Sequence, residues 1–530
     1  MQTALKVMLG LVAALGAAAC SDYLSGPSVT TDPNNPSTLT TPGPLYVAIQ
    51  QAQAVQHEGQ LARNATEYTQ QIAGNSRQQI GFDRYQAQPS DMDTYFTAVY
   101  ASTITLNGGG ALLDIHKMQQ LARKVGDSLF VGIGKVYEVL NMQLAADLWG
   151  DIPYREAADS NIRTPKFDPQ LQVYADLIAQ LDSAINVYLP ASGPTNLGPG
   201  TSELVYANRA AAGLATVYTA VAHSLKARIY MHMAEVNPAN YALALAEVGP
   251  PGLNNGGPGI SSPADDFLYF HDQTPTGNNI WVQFMGARAD IGPGSAMVNI
   301  LKRRIAAGIE DTSRIAFYFT STDGGPATAT NFFGFRPGGA TNLQTAPGGD
   351  NGNGAPDGSH SDFNSINNLV DFRQPEITWA ETQLIGAEAA LATGNAGLAQ
   401  SYLTAVRANR TYGATGGAAV TFPPLAPVPA TLQNIMEEKY VTLFLNPEVW
   451  SDYKRTCLPS LAPAAPVGST TPGTAPIPGR VPYGLTEINA NPNTPTTNSA
   501  GQPVSSTSRN PNDPNPCPVL NYANSTPLAN

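Results

Sequence analysis

The chain has 530 residues, a net charge of −12 and a pI near 4.9, with 49 Gly and 44 Pro but only 13% charged residues. No Lys/Arg cluster offers the basic face that replaces phosphate counterions, so nucleic acid is excluded as a partner. The length supports several packed layers or lobes. The low charge and abundant Asn, Thr, Ser and Gln describe an ordered, loop-rich protein whose surface suits neutral polar ligands.

Taken in order, the chain opens with Lys6 and an apolar run over 7–14, which reads as a signal peptide occupying residues 1–19. The run is too short to span a bilayer. Leu15-Gly16-Ala17-Ala18-Ala19-Cys20 resembles a bacterial lipobox in which Cys20 carries the lipid; the alternative is an ordinary secretory signal cleaved near Ala19. Residues 20–43 form a Pro/Asn/Thr-rich tether. No later segment is apolar enough to cross a membrane, so the mature protein is expected to be anchored to a membrane without spanning it.

Helical texture begins at Leu45 with Ala48, Ile49, Ala52 and Val55. Residues 74–91 read as a polar, aromatic loop carrying Arg84 and Tyr85, followed by helices from about Asp93 and over 112–125. Leu129, Ile133, Val136, Leu140, Leu144 and Leu148 give the next helix an apolar face. Gly150 can close it with a positive φ, and Pro153 forbids its continuation. Asp168 and Pro169 read as the cap and first position of another helix. Residues 225–233 with 241–246, capped by Asn240, look like a tetratricopeptide-type hairpin, and 375–394 with 395–410 like a second. The hairpins stand too far apart for a regular solenoid. Between them, residues 249–365 read as a loop-rich lobe with short strands, whose aromatics argue against disorder. An amphipathic helix over 432–445 precedes a Pro/Asn-rich segment, 457–530.

No H-E-x-x-H, G-x-S-x-G, Walker or dinucleotide fingerprint appears, so no catalytic residue, metal ligand set or cofactor is assigned. Residues 350–358 are rich in oxygen ligands suited to calcium, but without the bidentate Glu of an EF-hand a solvated loop is the better reading. Cys457 and Cys517 are expected to pair in an oxidising compartment. For a sugar ligand the expected device is aromatic rings among amides and guanidinium groups, which points to Arg84, Tyr85, Tyr269, Phe270, Asn279 and Trp281.

Two stretches carry a resemblance. ADLWGDIPYREA, with Asp147, Trp149, Gly150, Asp151, Pro153, Tyr154 and Glu156, is similar to the signature of SusD/RagB outer-membrane lipoproteins. The segment from Glu438-Lys439-Tyr440 through Trp450, Asp452 and Arg455 resembles the second hallmark of that family. The resemblance implies a mainly α fold of irregular tetratricopeptide-like hairpins, a helical scaffold over 44–248 and 366–456, and structural roles for the hallmark residues. It implies a non-catalytic, lipid-anchored cell-surface protein of the outer membrane that takes oligosaccharides to a SusC-like TonB-dependent transporter. A peptide-binding scaffold is the alternative, and a surface glycosidase a more distant one.

Overall fold

The computed structural model describes residues 41–100, 112–159, 161–207, 209–288, 290–338, 360–464, 473 and 477–496. The chain divides at Pro42 into two units, and the architecture below is that of the second, from Gly43. The signal segment, Cys20, the 350–358 loop and Cys517 lie outside the described residues.

Helices α1 (Gly43–Glu58) and α2 (Gln60–Tyr68) meet at Gly59, where an added Cβ would stand 2.2 Å from the Val55 carbonyl oxygen. Any side chain there forces the two helices apart. The expected loop after them is instead a short strand, β1 (Ile72–Gly74), and a helix, α3 (Arg77–Asp83). Its seven residues are too few to display a period among so many glutamines. Next come α4 (Pro89–Tyr100) and α5 (Leu112–Val125). Pro89 begins α4 because its missing N–H is an orphan at that position anyway, and the Asp91 carboxylate accepts from the Gln88 N–H at 2.8 Å.

Helix α6 (Ser128–Trp149) is the central strut, buried from Leu129 to Trp149 on every side. Several of its polar residues offset burial with hydrogen bonds: Glu138 accepts from Gln119 and from the Tyr154 hydroxyl, both at 2.8 Å, and Asn141 donates to the Val99 carbonyl at 3.0 Å. Gly150 ends it at φ +81°. Helix α7 (Gln170–Ser183) follows, but Asp168 does not cap it. Its carboxylate accepts from the Tyr154 and Arg155 N–H groups, and Asp151 caps the helix by accepting from Gln170 N at 2.9 Å. The tight Pro153 turn brings Asp151 to the helix end first.

Both predicted hairpins form, as α8 (Ala211–Ala234) with α9 (Ala239–Val248), and α14 (Trp379–Ala392) with α15 (Ala396–Ala408). Asn240 is not the cap of α9, because its amide donates to the Met233 carbonyl; the Asn237 side chain accepts from Ala239 N. Although far apart in sequence, the hairpins pack together, with α14 against both α8 and α9.

Residues 249–365 differ most from expectation. They contain α10 (Ile280–Ala287), α11 (Ser295–Ala306) and α12 (Thr312–Tyr318) besides strands β2 (Phe267–Leu268) and β3 (Ile291–Pro293). These helices are short and separated by Gly/Pro turns, which hides their period. Their apolar faces join Tyr412, Tyr440 and Phe444 in one core, so the segment is no separate lobe. The short helix α13 (Ser365–Asn368) and strand β4 (Pro375–Ile377) follow it. Among the described residues the strands pair in antiparallel twos: β1 with β3, β2 with β4, and β5 (Arg410–Thr415) with β6 (Ala418–Phe422). Helices α16 (Leu432–Thr442), α17 (Glu448–Thr456) and α18 (Leu485–Ala490) complete the chain. Among the described residues no helix is long and apolar enough to cross a membrane. Cys457, at φ +58° after α17, is disulfide-bonded, and we propose Cys517 as its partner.

Candidate functional site

The two hallmark stretches meet inside the protein. Asp147 on α6 and Glu448 on α17 clasp His232 of α8 from both sides, at 3.0 Å to Nδ1 and 2.7 Å to Nε2. Burial alone would lower the imidazole, but the two carboxylates raise it to about 10. This trio has the residue types of a metal site. In this structure the two carboxylates lie at ion-pair distance from the two ring nitrogens, the arrangement of an ion triad.

Lys439 and Arg455 reach Asp452 at 2.7 and 2.6 Å, and Arg455 also pairs with Glu388. Burial opposes ionisation of Asp452, yet the two cations hold it at about 2. Trp149 and Trp450 donate their indole N–H groups to the Pro482 and Pro478 carbonyls, each at 2.9 Å. Asp147, Trp149, Gly150, Asp151, Pro153, Tyr154, Trp450, Asp452 and Arg455 therefore sit in the framework, where their wording serves assembly. Glu156 is tied to the neighbouring chain by Lys166 N at 2.9 Å.

The six residues singled out for sugar contact are not brought together. Trp281 is wholly buried, with no ring face open to a ligand. Asn279 is its helix cap, accepting from Trp281 N at 2.8 Å and donating to the Phe372 carbonyl. Tyr269 packs among Phe267 and His57 in the interior, and Tyr85 against Tyr68. Phe270 lies under the Arg373 guanidinium at 4.7 Å, and Arg84 is half-buried at the end of α3. Trp281, Asn279, Tyr269 and Tyr85 are thus corrected from surface contacts to packing residues. The Gly/Asn-rich wording around them marks turns between buried elements.

Two cavities instead flank α4. Phe96, Thr97 and Tyr100, with Pro153, Ala157, Ala158, Pro165 and Glu487, line one of about 170 Å³ behind the Trp149 corner. The other face, Tyr95 and Ala98, closes a cleft of about 90 Å³ against α1, α2 and α10. Gln56, Gln60 and Arg63 face this cleft, and the strain-sensitive Gly59 junction sets their positions. The Arg63 guanidinium lies 4.0 Å over the half-buried Phe284 ring. Half-buried rings beside amide and guanidinium donors are what reading a sugar requires, and the first cavity offers fewer such donors. The sequence does not point to the cleft, because Gln60 and Arg63 sit within helix α2 and read as its polar face.

A titratable group lies one helix away. Burial pushes the Asp83 carboxyl up to about 7, against the pull of the Gly338 and Gly74 N–H groups. A carboxyl raised in the folded state contributes stability below its unfolded pKa near 4, and that contribution is lost as pH rises through 7. Relative to Asp83→Asn, the wild type should lose stability between pH 4.5 and 7.5, read by urea unfolding at both. A pH-independent difference between the two proteins would refute this.

A SusD-like family model described as "Starch-binding associating with outer membrane" matches residues 33–484. Among solved structures, a chitin-binding SusD homologue from Flavobacterium johnsoniae is 19% identical, with a TM-score of 0.60 over 90% of this chain and 99% of that one. A SusD-like protein from Bacteroides thetaiotaomicron is 17% identical with a TM-score of 0.61, covering 85% of this chain and 93% of its own. A SusD homologue from Bacteroides uniformis is 18% identical with a TM-score of 0.61, covering 88% and 98%. At these identities the likeness shows the fold. No curated protein matches the chain.

Proposed function

The chain belongs to the SusD-like family, and from that premise we propose that it is a non-catalytic nutrient-binding protein of the outer membrane that captures oligosaccharides in the cleft beside α4. It is held at the cell surface by lipid on Cys20 and passes its ligand to a SusC-like TonB-dependent transporter. The observation that carries this reading is the family match over residues 33–484. The chitin-binding relative supports a glycan as the ligand class. The cleft supports the location, since it joins a half-buried tyrosine with amide and guanidinium donors. The hairpins give little support to a peptide scaffold: Arg228 of α8 and Glu381 of α14 are buried against each other at 2.6 Å, so those facing surfaces are already used.

Calorimetry against a panel of starch, chitin and plant cell-wall oligosaccharides tests the reading. Binding to at least one, weakened by Tyr95→Ala, is the expected result; no binding to any would overturn it. The anchor has its own test. Cys20→Ser should move the protein from the membrane to the soluble fraction, and a variant that stays membrane-bound after a high-salt wash would refute lipid anchoring.

A further inference from the structure

Arg63 stands apart from most of the buried arginines; Arg480 too has no ion pair among the described residues, but its guanidinium lies 4.4 Å over the Tyr483 ring and attracts Asp151. Arg228, Arg304, Arg314, Arg407, Arg410 and Arg455 each pair with a carboxylate. Arg63 is 8% exposed, and its one side-chain hydrogen bond among the described residues is from Nε to the neutral Gln60 side chain at 3.3 Å. Its Nη1 is buried without an acceptor, and so is the indole N–H of Trp281, whose ring centre lies 5.9 Å from Arg63 Cζ. Glu67, one helical turn on, makes no ion pair or hydrogen bond with it among the described residues. Both of its oxygens are buried without partners; burial and nearby Asp83 raise its carboxyl while Arg63 lowers it, so the two attract along the helix without a hydrogen bond. Burial lowers Arg63 only to about 10, leaving it cationic at neutral pH. Exposed Arg288 acts electrostatically on both Arg63 and Tyr95. A protein of net charge −12 thus places a buried guanidinium with an unpartnered Nη1 on the lining of this cleft, with Arg288 nearby.

We infer that this cleft selects anionic sugars, seating the carboxylate of a uronic acid residue on Arg63 while the sugar ring rests outside against Tyr95. The inference rests on the glycan-binding reading and narrows it. A carboxylate supplies the acceptors that the guanidinium lacks, and a fork-to-fork pair is the strongest contact either group can make. The size agrees: an apolar cavity of about 150 Å³ encloses benzene, so the smaller cleft of about 90 Å³ suits a substituent with the six-membered ring at its mouth.

The test compares tetragalacturonate with maltotetraose and chitotetraose by calorimetry at several NaCl concentrations. The expected result is tighter binding of tetragalacturonate, declining with salt, and loss of affinity on the order of 30-fold or more in Arg63→Met, as for removing one partner of a desolvated charge pair. Without ligand, Arg63→Met should melt no lower than wild type, because it removes a buried charge that has no ion pair among the described residues; a residue that served only packing would give a lower melting temperature. Should that variant fail to fold, Arg288→Ala, on the surface, should still weaken tetragalacturonate binding and spare the neutral sugars. Equal or tighter binding of the neutral sugars, indifferent to Arg63 and Arg288, would overturn the inference and leave glycan binding standing. Absence of binding to all three, and to the wider panel, would overturn both.

Discussion

Glu438→Gln is expected to cost about 3–5 kcal/mol, the range for breaking a buried ion pair on one side. Glu438 sits on α16 with no exposed surface, among three guanidinium groups. Arg314 and Arg407 reach it at 3.1 and 2.8 Å, and Arg304 pairs with it as well. Glu310 bridges Arg304 and Arg314 from the far side, at 3.4 and 3.2 Å. Glutamine keeps the shape and removes the charge, leaving Glu310 on Arg304 and Arg314, Glu437 on Arg304 at 3.9 Å, and Arg407 without an ion pair among the described residues in a buried site. Burial alone would push the Glu438 carboxyl up, but the arginines hold it well below the usual range. Its contribution is therefore present above the unfolded pKa near 4 and lost as pH falls through the lower folded value. Urea unfolding should show the full deficit at pH 7 and a narrowing gap at strongly acid pH. A variant as stable as wild type at pH 7 would show the network to be energetically idle.

Trp281→Ala is expected to destabilise by about 3–5 kcal/mol, the cost of emptying a large buried ring's place. As sequence, Trp281 stands among Asn and Gly where a sugar-stacking ring would, and that reading predicts a nearly unchanged melting temperature. In the structure the ring is fully covered, in one core with Met297, Ile315 and Phe372. Thermal melting followed by circular dichroism separates the two: a large downward shift is expected, and an unshifted variant with lost binding would return Trp281 to the ligand.

The contrast shows what a sequence of this kind discloses. Long periodic helices such as α6, and hairpins such as α8 with α9, were legible because many residues repeat one pattern. The hallmark residues were legible by wording, although only the fold explains it: Asp147, Glu448 and His232 come from α6, α17 and α8 and meet as one ion triad. Residues 280–318 misled because short helices between Gly/Pro turns have no measurable period, while their aromatics imitate a binding loop. The cleft was hidden for a different reason. Gln60 and Arg63 look like the polar face of an ordinary helix, and only tertiary packing reveals that this face is buried and that Arg63 lacks a carboxylate. Capping failed in the same way, since Asp151 reaches the α7 N-terminus through a turn whose geometry local rules do not specify.

The central claim is that ligand is held in the cleft between α2 and α4. Hydrogen–deuterium exchange on the whole mature protein, with and without saturating oligosaccharide chosen from the calorimetric panel, tests it most directly. The account predicts slowed exchange concentrated in peptides covering residues 55–63, 95–100 and 280–288. Saturated binding with protection confined elsewhere, for example to residues 157–165 and 485–490 at the other cavity, would contradict it.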